Sequence, residues 1–184
     1  EALHFSMTDA VNTIFYFEMG ALFGSLSWGY ISDLLKGRRA IVAVICLCLT
    51  AFAVLGYRYA TSVLMINVSL FVLGILIFGP QLLIGVSLVG FVPKKAIAVA
   101  NGLSGTFGYL FGDSTAKVML AKIADPKSSG VTLGGVHFHG WNDVFIIFYG
   151  ALILGVLLLL CVAWAEERMI RGKNEEENLL PETE

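Results

Sequence analysis

Apolar and polar positions alternate along this chain in long blocks rather than with the short period of a soluble helix or strand. Short polar connectors separate five apolar runs, each close to or above the roughly 20 residues needed to cross a hydrocarbon core, and these runs cover residues 11–34, 40–57, 63–92, 96–124 and 144–164. The pattern predicts an all-α fold, a polytopic membrane helix bundle over residues 1–171. Residues 172–184 are predicted to form a disordered acidic tail.

The composition supports a membrane protein. Hydrophobic residues make up 57% of the chain and charged residues 14%, and the mean hydropathy is +0.81, which excludes an ordinary soluble domain. The net charge of -2 comes from the acidic tail, so it indicates no charged partner, and no nucleic-acid partner is expected. The expected surroundings are a lipid bilayer.

The number of predicted spans indicates a missing part. Transporters are commonly built from paired repeats of three or six helices, and five spans do not complete such a pair. The chain begins with Glu1 rather than Met, in an amphipathic segment without the charged, apolar and cleavage regions of a signal peptide. We therefore expect a C-terminal fragment whose partner is the missing N-terminal half of the same protein.

Basic residues in the connectors predict the orientation. Eight lie in alternate connectors and the tail, against three on the opposite side (Lys36, Arg38, Arg39, Lys94, Lys95, Arg168, Arg171 and Lys173 against Arg58, Lys122 and Lys127). By the positive-inside rule, the C-terminus should be cytoplasmic.

The fourth predicted span carries two opposite charges. Asp113 and Lys117 are four residues apart, one helical turn, and Tyr109 and Thr106 continue the same face. A charge at mid-membrane costs about 2.5 to 3.5 kcal/mol on insertion scales, so such residues usually face water or a partner. The pair either neutralises itself or lines an aqueous cavity. We favour the cavity, in which the ammonium could be released to a phosphate monoester that competes with the carboxylate for it.

Glu18 is a third charge within a predicted span. No basic residue lies three or four positions from it, so its partner should be a cation on another helix or in the missing part. The alternative is a position at the helix end, with the carboxylate reaching water.

Glycine, histidine and cysteine residues allow further predictions. Gly102, Gly105, Gly108 and Gly112 predict close helix packing or a flexible gating helix. The outer loop from Asp125 to Asp143 is expected to form turns rather than regular structure, and a metal site of His137, His139 and Asp143 is disfavoured against a solvated loop. No metal is therefore expected, and the three cysteines, which lack CxxC spacing, are expected to be packing residues (Cys46, Cys48 and Cys161).

Two further motifs lie at or within the predicted spans. The sequence GYISDLLKGRR at residues 29–39 places Asp33 where it could cap a helix or pair across the connector. Pro80 predicts a kink in the third span, and Gln81 could either line a pathway or bind the freed backbone carbonyl.

Several motifs resemble one transporter family. The motifs are FGPQLLIG at residues 78–85, GFVPKKA at 90–96, GTFGYLFGDSTAK at 105–117, GRR at 37–39 and EER at 166–168. Together they resemble the organophosphate:phosphate antiporter family of the major facilitator superfamily. The resemblance covers nearly the whole chain, is weakest in the outer loop and acidic tail, and is strongest to the hexose-phosphate transporters of the family.

The resemblance implies a fold and a function. Family members have twelve spans, of which this chain would carry the eighth to the twelfth, and they exchange inorganic phosphate for a sugar phosphate in a bacterial cytoplasmic membrane. The two phosphate-binding arginines lie on the first and seventh spans, which are absent here. No enzyme activity and no cofactor are expected, and no ATP-binding motif is present.

The resemblance also implies substrate-binding residues. Glu18 matches a family carboxylate on the eighth span, while Asp113 and Lys117 match a charged pair on the eleventh span of hexose-phosphate transporters. With Tyr109, these residues form the predicted substrate-binding set. The pair favours a hexose 6-phosphate carrier over a glycerol-3-phosphate antiporter or a hexose-phosphate sensor. A purely structural membrane protein is the remaining alternative.

Overall fold

The computed structural model describes residues 7–35, 38–125 and 127–179. These residues form six α-helices, a short 3-10 helix, a π-helical segment and one β-hairpin: α1 (Met7–Leu34), α2 (Arg39–Arg58), α3 (Val63–Phe91), the 3-10 helix (Lys94–Ala96), α4 (Ile97–Phe107), the π-helix (Gly108–Asp113), α5 (Ser114–Ala124), β1 (Val131–Leu133), β2 (Val136–Phe138) and α6 (Trp141–Leu179). The prediction of an all-α fold is confirmed, with the hairpin as an addition.

Among the described helices, three are long and apolar enough to cross a membrane. They cover Arg39–Arg58, Val63–Leu88 and Trp141–Gly172 and coincide with the second, third and fifth predicted spans. Helix α1 has sufficient length at 28 residues, but Glu18 and several Gly, Ser and Tyr residues lower its apolar character. The fourth predicted span is divided by the π-helix. The count of five spans therefore stays a prediction.

The chain forms two compact units. The first comprises the described residues up to Ser87 and from Gly155 onward, and the second comprises Leu88–Leu154. The core of the first unit joins α2, α3 and α6 (Val42, Ala43, Cys46, Leu83 and Leu159). Cys46 is thus a packing residue, as predicted, whereas Cys48 and Cys161 are exposed.

Glycines bring α1 and α3 into close contact within the first unit. A side chain at Gly20 or Gly24 would overlap the main chain of Phe71 or Ile75, and one at Gly74 would overlap the main chain of α1 at Phe17 and Ala21. Small residues permit such close backbone approach between membrane helices. The absence of side chains at these positions therefore sets the distance between α1 and α3.

The basic turn before α2 is held by α6. The Glu166 carboxylate accepts a hydrogen bond from the Ala40 backbone N–H at 2.9 Å, and Arg38 Nη2 lies 3.1 Å from Glu167 Oε1. Arg39 donates to the Val86 carbonyl at 3.0 Å, near the end of α3. Since Arg38, the residue at the helix cap, makes no side-chain capping bond, Glu166 satisfies part of this helix start instead.

The interpretation of Asp33 as a cap or as a partner across the connector stays a prediction, because Lys36 and Gly37 lie outside the described residues. Asp33 is exposed, and the acids that contact the turn are Glu166 and Glu167. These residues are more than 120 positions away in sequence, so helix packing, not local spacing, selects them.

Substituting Glu166 should destabilise the first unit. Glu166 is only 8% exposed, and Glu166→Ala would leave the Ala40 N–H without its acceptor, which costs about 1–3 kcal/mol. Glu166→Gln keeps an oxygen acceptor and should cost less. We expect the thermal unfolding temperature in detergent to be lowest for Glu166→Ala, intermediate for Glu166→Gln and highest for the wild type.

Glu167→Ala is the matched control for this prediction. It removes a more exposed ion pair, with side chains 46% and 29% exposed, and such pairs contribute about 0–1 kcal/mol. Equal destabilisation by Glu166→Ala and Glu167→Ala would contradict the capping role.

In the second unit, the expectation that the outer loop lacks regular structure is wrong. Strands β1 and β2 pair antiparallel with Val131 opposite Phe138 and Leu133 opposite Val136. Gly134 and Gly135 form the turn with φ values of 56° and 85°. Two positive φ angles in a two-residue turn suit the twist of a hairpin and favour glycine. The sequence VTLGGVHF carried this signal.

Two helices extend through positions where an interruption was predicted. Helix α3 continues from Val63 to Phe91 with Pro80 inside it, so Pro80 does not end the helix, and its predicted kink stays a prediction. Helix α6 continues to Leu179, past Gly172, where the disordered tail was predicted to begin. Glu and Lys favour helix, and extending an existing helix avoids the cost of nucleation. Residues 180–184 lie outside the described part.

Candidate functional site

The candidate site lies on the helical segment of α4, the π-helix and α5. The backbone N–H of Ser114 donates to the Tyr109 carbonyl, five residues earlier, which is the π-helical pattern. The Ser114 hydroxyl donates to the same carbonyl at 3.0 Å. Single π-helical turns within α-helices are frequent at functional sites. Here the turn contains Tyr109 and ends at Asp113.

The two opposite charges are in direct contact. Lys117 Nζ lies 2.7 Å from Asp113 Oδ2, while the Lys117 and Asp113 side chains are 74% and 44% exposed within the chain. The pair that the four-residue spacing predicted is therefore present and is not enclosed by described residues. A ligand can approach the ammonium without displacing a packed side chain.

The other members of the polar stripe are also exposed. Tyr109 is 61% exposed, and the exposed Thr106 hydroxyl donates to the Gly102 carbonyl at 2.8 Å. Thr106 therefore already bonds its own helix. Phe107 and Phe111 stack with ring centroids 5.4 Å apart, and their positions lie roughly opposite Tyr109 and Asp113. The segment thus has a polar side and an aromatic side.

The four glycines of this segment face open space. A side chain added at Gly102, Gly105, Gly108 or Gly112 would meet no atom within 4 Å among the described residues. The predicted close packing is therefore not made within the described part of this chain. Glycines beside the charged pair reduce the bulk around it.

Glu18 lies in the first unit, whereas the Asp113–Lys117 pair lies in the second. The Glu18 side chain is exposed and lies on the side of α1 away from Gly20 and Gly24. Among the described residues, no cation lies within ion-pair distance of Glu18. The expected cationic partner is thus absent from the described part of this chain.

A groove on the side of α5 away from the charged pair was not predicted. It measures about 460 Å³ and is lined by Ser114, Thr115, Val118, Met119, Lys122 and Val131. Lys122 is the basic residue of the groove, and the five-residue separation places it on a different face of α5 from Lys117. The small polar residues of α5 were the signal in the sequence, but only the approach of β1 makes a groove of them.

The histidines of the outer loop have structural partners. His137 Nδ1 lies 3.3 Å from the Thr132 hydroxyl across the hairpin. Asp143 accepts a hydrogen bond from the His139 backbone N–H at 2.8 Å near the start of α6. In the residues that the structure covers, no group of three His, Cys, Asp or Glu side chains is placed to hold a metal ion.

Known proteins similar to this chain are transporters. A hexose-6-phosphate:phosphate antiporter of Salmonella typhimurium is 47% identical over 175 residues, covering 95% of this chain and 36% of the relative. The protein of the same name from Escherichia coli K12 is 45% identical over 179 residues, 97% of this chain and 37% of the relative. A glycerol-3-phosphate transporter of Bacillus subtilis is 33% identical over 162 residues, which cover 86% of this chain and 34% of the relative.

No family model matches the chain. The chain spans little more than a third of the length of the two antiporters. The similarity nevertheless covers nearly every described residue, and, with the apolar helices, it establishes a membrane protein related to transporters.

Proposed function

Because this chain is homologous over nearly its whole length to hexose-6-phosphate:phosphate antiporters, we propose that it is the C-terminal part of a secondary transporter that exchanges a hexose 6-phosphate for inorganic phosphate. The identity of 45–47% with these relatives carries the proposal. The fold proposed for the complete protein is the twelve-helix major facilitator bundle, with no bond made or broken in the substrate.

The Asp113–Lys117 pair supports a role in substrate binding. At 2.7 Å, the ammonium is held by one carboxylate, which carries a single negative charge. A phosphate monoester carries nearly two and offers three acceptor oxygens, so it can take over the ammonium by charge-assisted hydrogen bonds. Lys117 would hold the substrate, and Asp113 would position the lysine when substrate is absent. Tyr109 would contribute a hydroxyl.

Glu18 would act by balancing a cation supplied by the missing part. In the proposed twelve-helix fold α1 crosses the membrane, where a carboxylate needs a partner, and an arginine that binds phosphate could alternate between Glu18 and the substrate. Substrate exchange would then change the partners of that arginine. This provides a physical route from binding to a change in helix arrangement.

Two alternatives also involve a phosphorylated ligand. The 33% identity with a glycerol-3-phosphate transporter favours glycerol 3-phosphate as a second candidate substrate. A membrane sensor that binds hexose phosphate without transporting it is the other. The proposed location is a bacterial cytoplasmic membrane with the C-terminus in the cytoplasm, based on the distribution of Lys and Arg.

Exchange in liposomes tests the proposal. The natural protein that contains this chain should be reconstituted in vesicles, and uptake of labelled glucose 6-phosphate should be measured with and without internal phosphate. We expect uptake only with internal phosphate, because in an antiporter the inward movement of one substrate requires the outward movement of the other. An excess of unlabelled glucose 6-phosphate should compete better than an equal amount of glycerol 3-phosphate.

The other results identify the alternatives. Stronger competition by glycerol 3-phosphate would favour the glycerol-phosphate carrier. Binding of glucose 6-phosphate without uptake would indicate a sensor. The absence of both binding and uptake would contradict the proposed function.

A further inference from the structure

Helix α6 has two distinct faces near its basic end. Leu159, Ala163 and Glu166 are 8%, 9% and 8% exposed, and their spacings of four and three residues place them on one face. Trp164, Arg168 and Arg171 have the same spacings and lie roughly opposite. Because Glu166 bonds the start of α2, the first face points into the protein and the second points away from it.

Trp164 and Arg168 form a stacked pair on the outward face. The guanidinium carbon of Arg168 lies 3.6 Å from the centre of the Trp164 ring. Trp164 is 60% exposed. Stacking on the ring fixes the guanidinium plane and leaves the N–H groups at its edge available to a phosphate or carboxylate.

The acids next to Arg168 in sequence are occupied elsewhere. Glu166 accepts the Ala40 N–H, and Glu167 pairs with Arg38. Among the residues whose side chains are described, no carboxylate lies within ion-pair distance of Arg168 or Arg171. The outward face of α6 thus carries two exposed guanidinium groups, those of Arg168 and Arg171.

The apolar part of α6 places this surface at a membrane boundary. Only 6% of the apolar window in Trp141–Gly172 is buried within the chain, and Leu157 and Leu160 are 56% and 49% exposed on the side of Trp164. Tryptophan is enriched at headgroup depth. Arg168 lies one turn further along, about 6 Å, at the depth of lipid phosphates.

We propose that Trp164, Arg168 and Arg171 bind the phosphate headgroup of an anionic phospholipid. The two guanidinium groups complement the headgroup charge, Trp164 lies at the border of the acyl region, and Leu157 and Leu160 contact the acyl chain. A free phosphate ion would gain only the charge contacts of an open surface. The lipid gains the apolar contacts as well, and this favours it as the occupant.

Tryptophan quenching tests the site. The natural protein containing this chain should carry Trp164 as its only tryptophan, and quenching by phosphatidylglycerol with brominated acyl chains should be compared with that by brominated phosphatidylcholine. We expect tighter binding of phosphatidylglycerol. Arg168→Gln or Arg171→Gln should each reduce the preference about five-fold, since a basic residue near an anionic surface contributes about 1 kcal/mol.

Two control variants separate the site from general charge and from misfolding. Arg168→Lys should retain part of the preference, because it keeps the charge but loses the planar stacking. Lys127→Gln removes one positive charge from the outer loop and should leave the preference unchanged. Helix content by circular dichroism and the elution profile should match across all variants.

Three results would overturn the proposal. Equal quenching by both lipids would show no recognition of the headgroup. Absence of quenching by either lipid would show that protein covers this face. A shift in Trp164 emission with inorganic phosphate in phosphatidylcholine vesicles, lost in Arg168→Gln, would assign the surface to free phosphate. Transport is a separate readout, so failure here leaves the antiport proposal intact.

Discussion

Lys117→Ala should reduce glucose 6-phosphate exchange about 100-fold, because an uncompensated charge within a membrane costs about 3 kcal/mol. In the structure Asp113 is paired with Lys117 at 2.7 Å. Removing the lysine leaves a carboxylate that also repels the substrate phosphate. The measurement is the initial rate of exchange in phosphate-loaded liposomes, corrected for the amount of protein inserted.

The double variant Asp113→Ala with Lys117→Ala should transport better than Lys117→Ala alone. Removing both partners leaves no unpaired charge, whereas removing one does. Lys117→Arg should retain more activity than Lys117→Ala or the double variant, since it keeps the positive charge. Lys127→Ala, a change of the same kind in the outer loop, should leave exchange unchanged. Equal rates for the single and double variants would contradict the ion-pair argument.

Gly74→Leu should prevent correct packing of α1 against α3. A Cβ atom at Gly74 would already overlap main-chain atoms of Phe17 and Ala21, and backbone atoms cannot move aside as a flexible side chain can. Overpacking usually costs about 1–3 kcal/mol, and a clash with backbone should reach the upper end of this range. We expect a lower unfolding temperature and less monodisperse protein in size-exclusion chromatography.

The alanine substitutions give the sharper comparison. Gly74→Ala and Gly24→Ala should destabilise the protein even though alanine favours helix over glycine by about 1 kcal/mol. Gly150→Ala, in α6, meets no atom within 4 Å and should be neutral or slightly stabilising. If Gly74→Ala and Gly150→Ala change the unfolding temperature in the same direction, the close contact does not determine the stability of the α1–α3 pair.

The sequence predicted features that depend on nearby residues. The apolar runs predicted membrane helices because the bilayer thickness sets the length of a span. The four-residue spacing of Asp113 and Lys117 predicted their contact because neighbouring turns of a helix bring such residues together. The hairpin was predictable from Gly134 and Gly135 in the same way, although the loop was interpreted as turns. The substrate-binding roles of Glu18, Tyr109, Asp113 and Lys117 stay predictions.

The tertiary structure decided what depends on distant residues. Glycines recur in both the first and the fourth predicted span, yet Gly20 and Gly24 contact α3 while Gly102 and Gly105 face open space. Spacings of four residues in the first pair and three in the second both place glycines on one face of a helix, so only packing distinguishes them. Likewise, Glu166 reaches Ala40 across 126 positions of sequence. The partner of a buried carboxylate is set by how the helices pack, because its desolvation must be offset by whichever donor the fold places beside it.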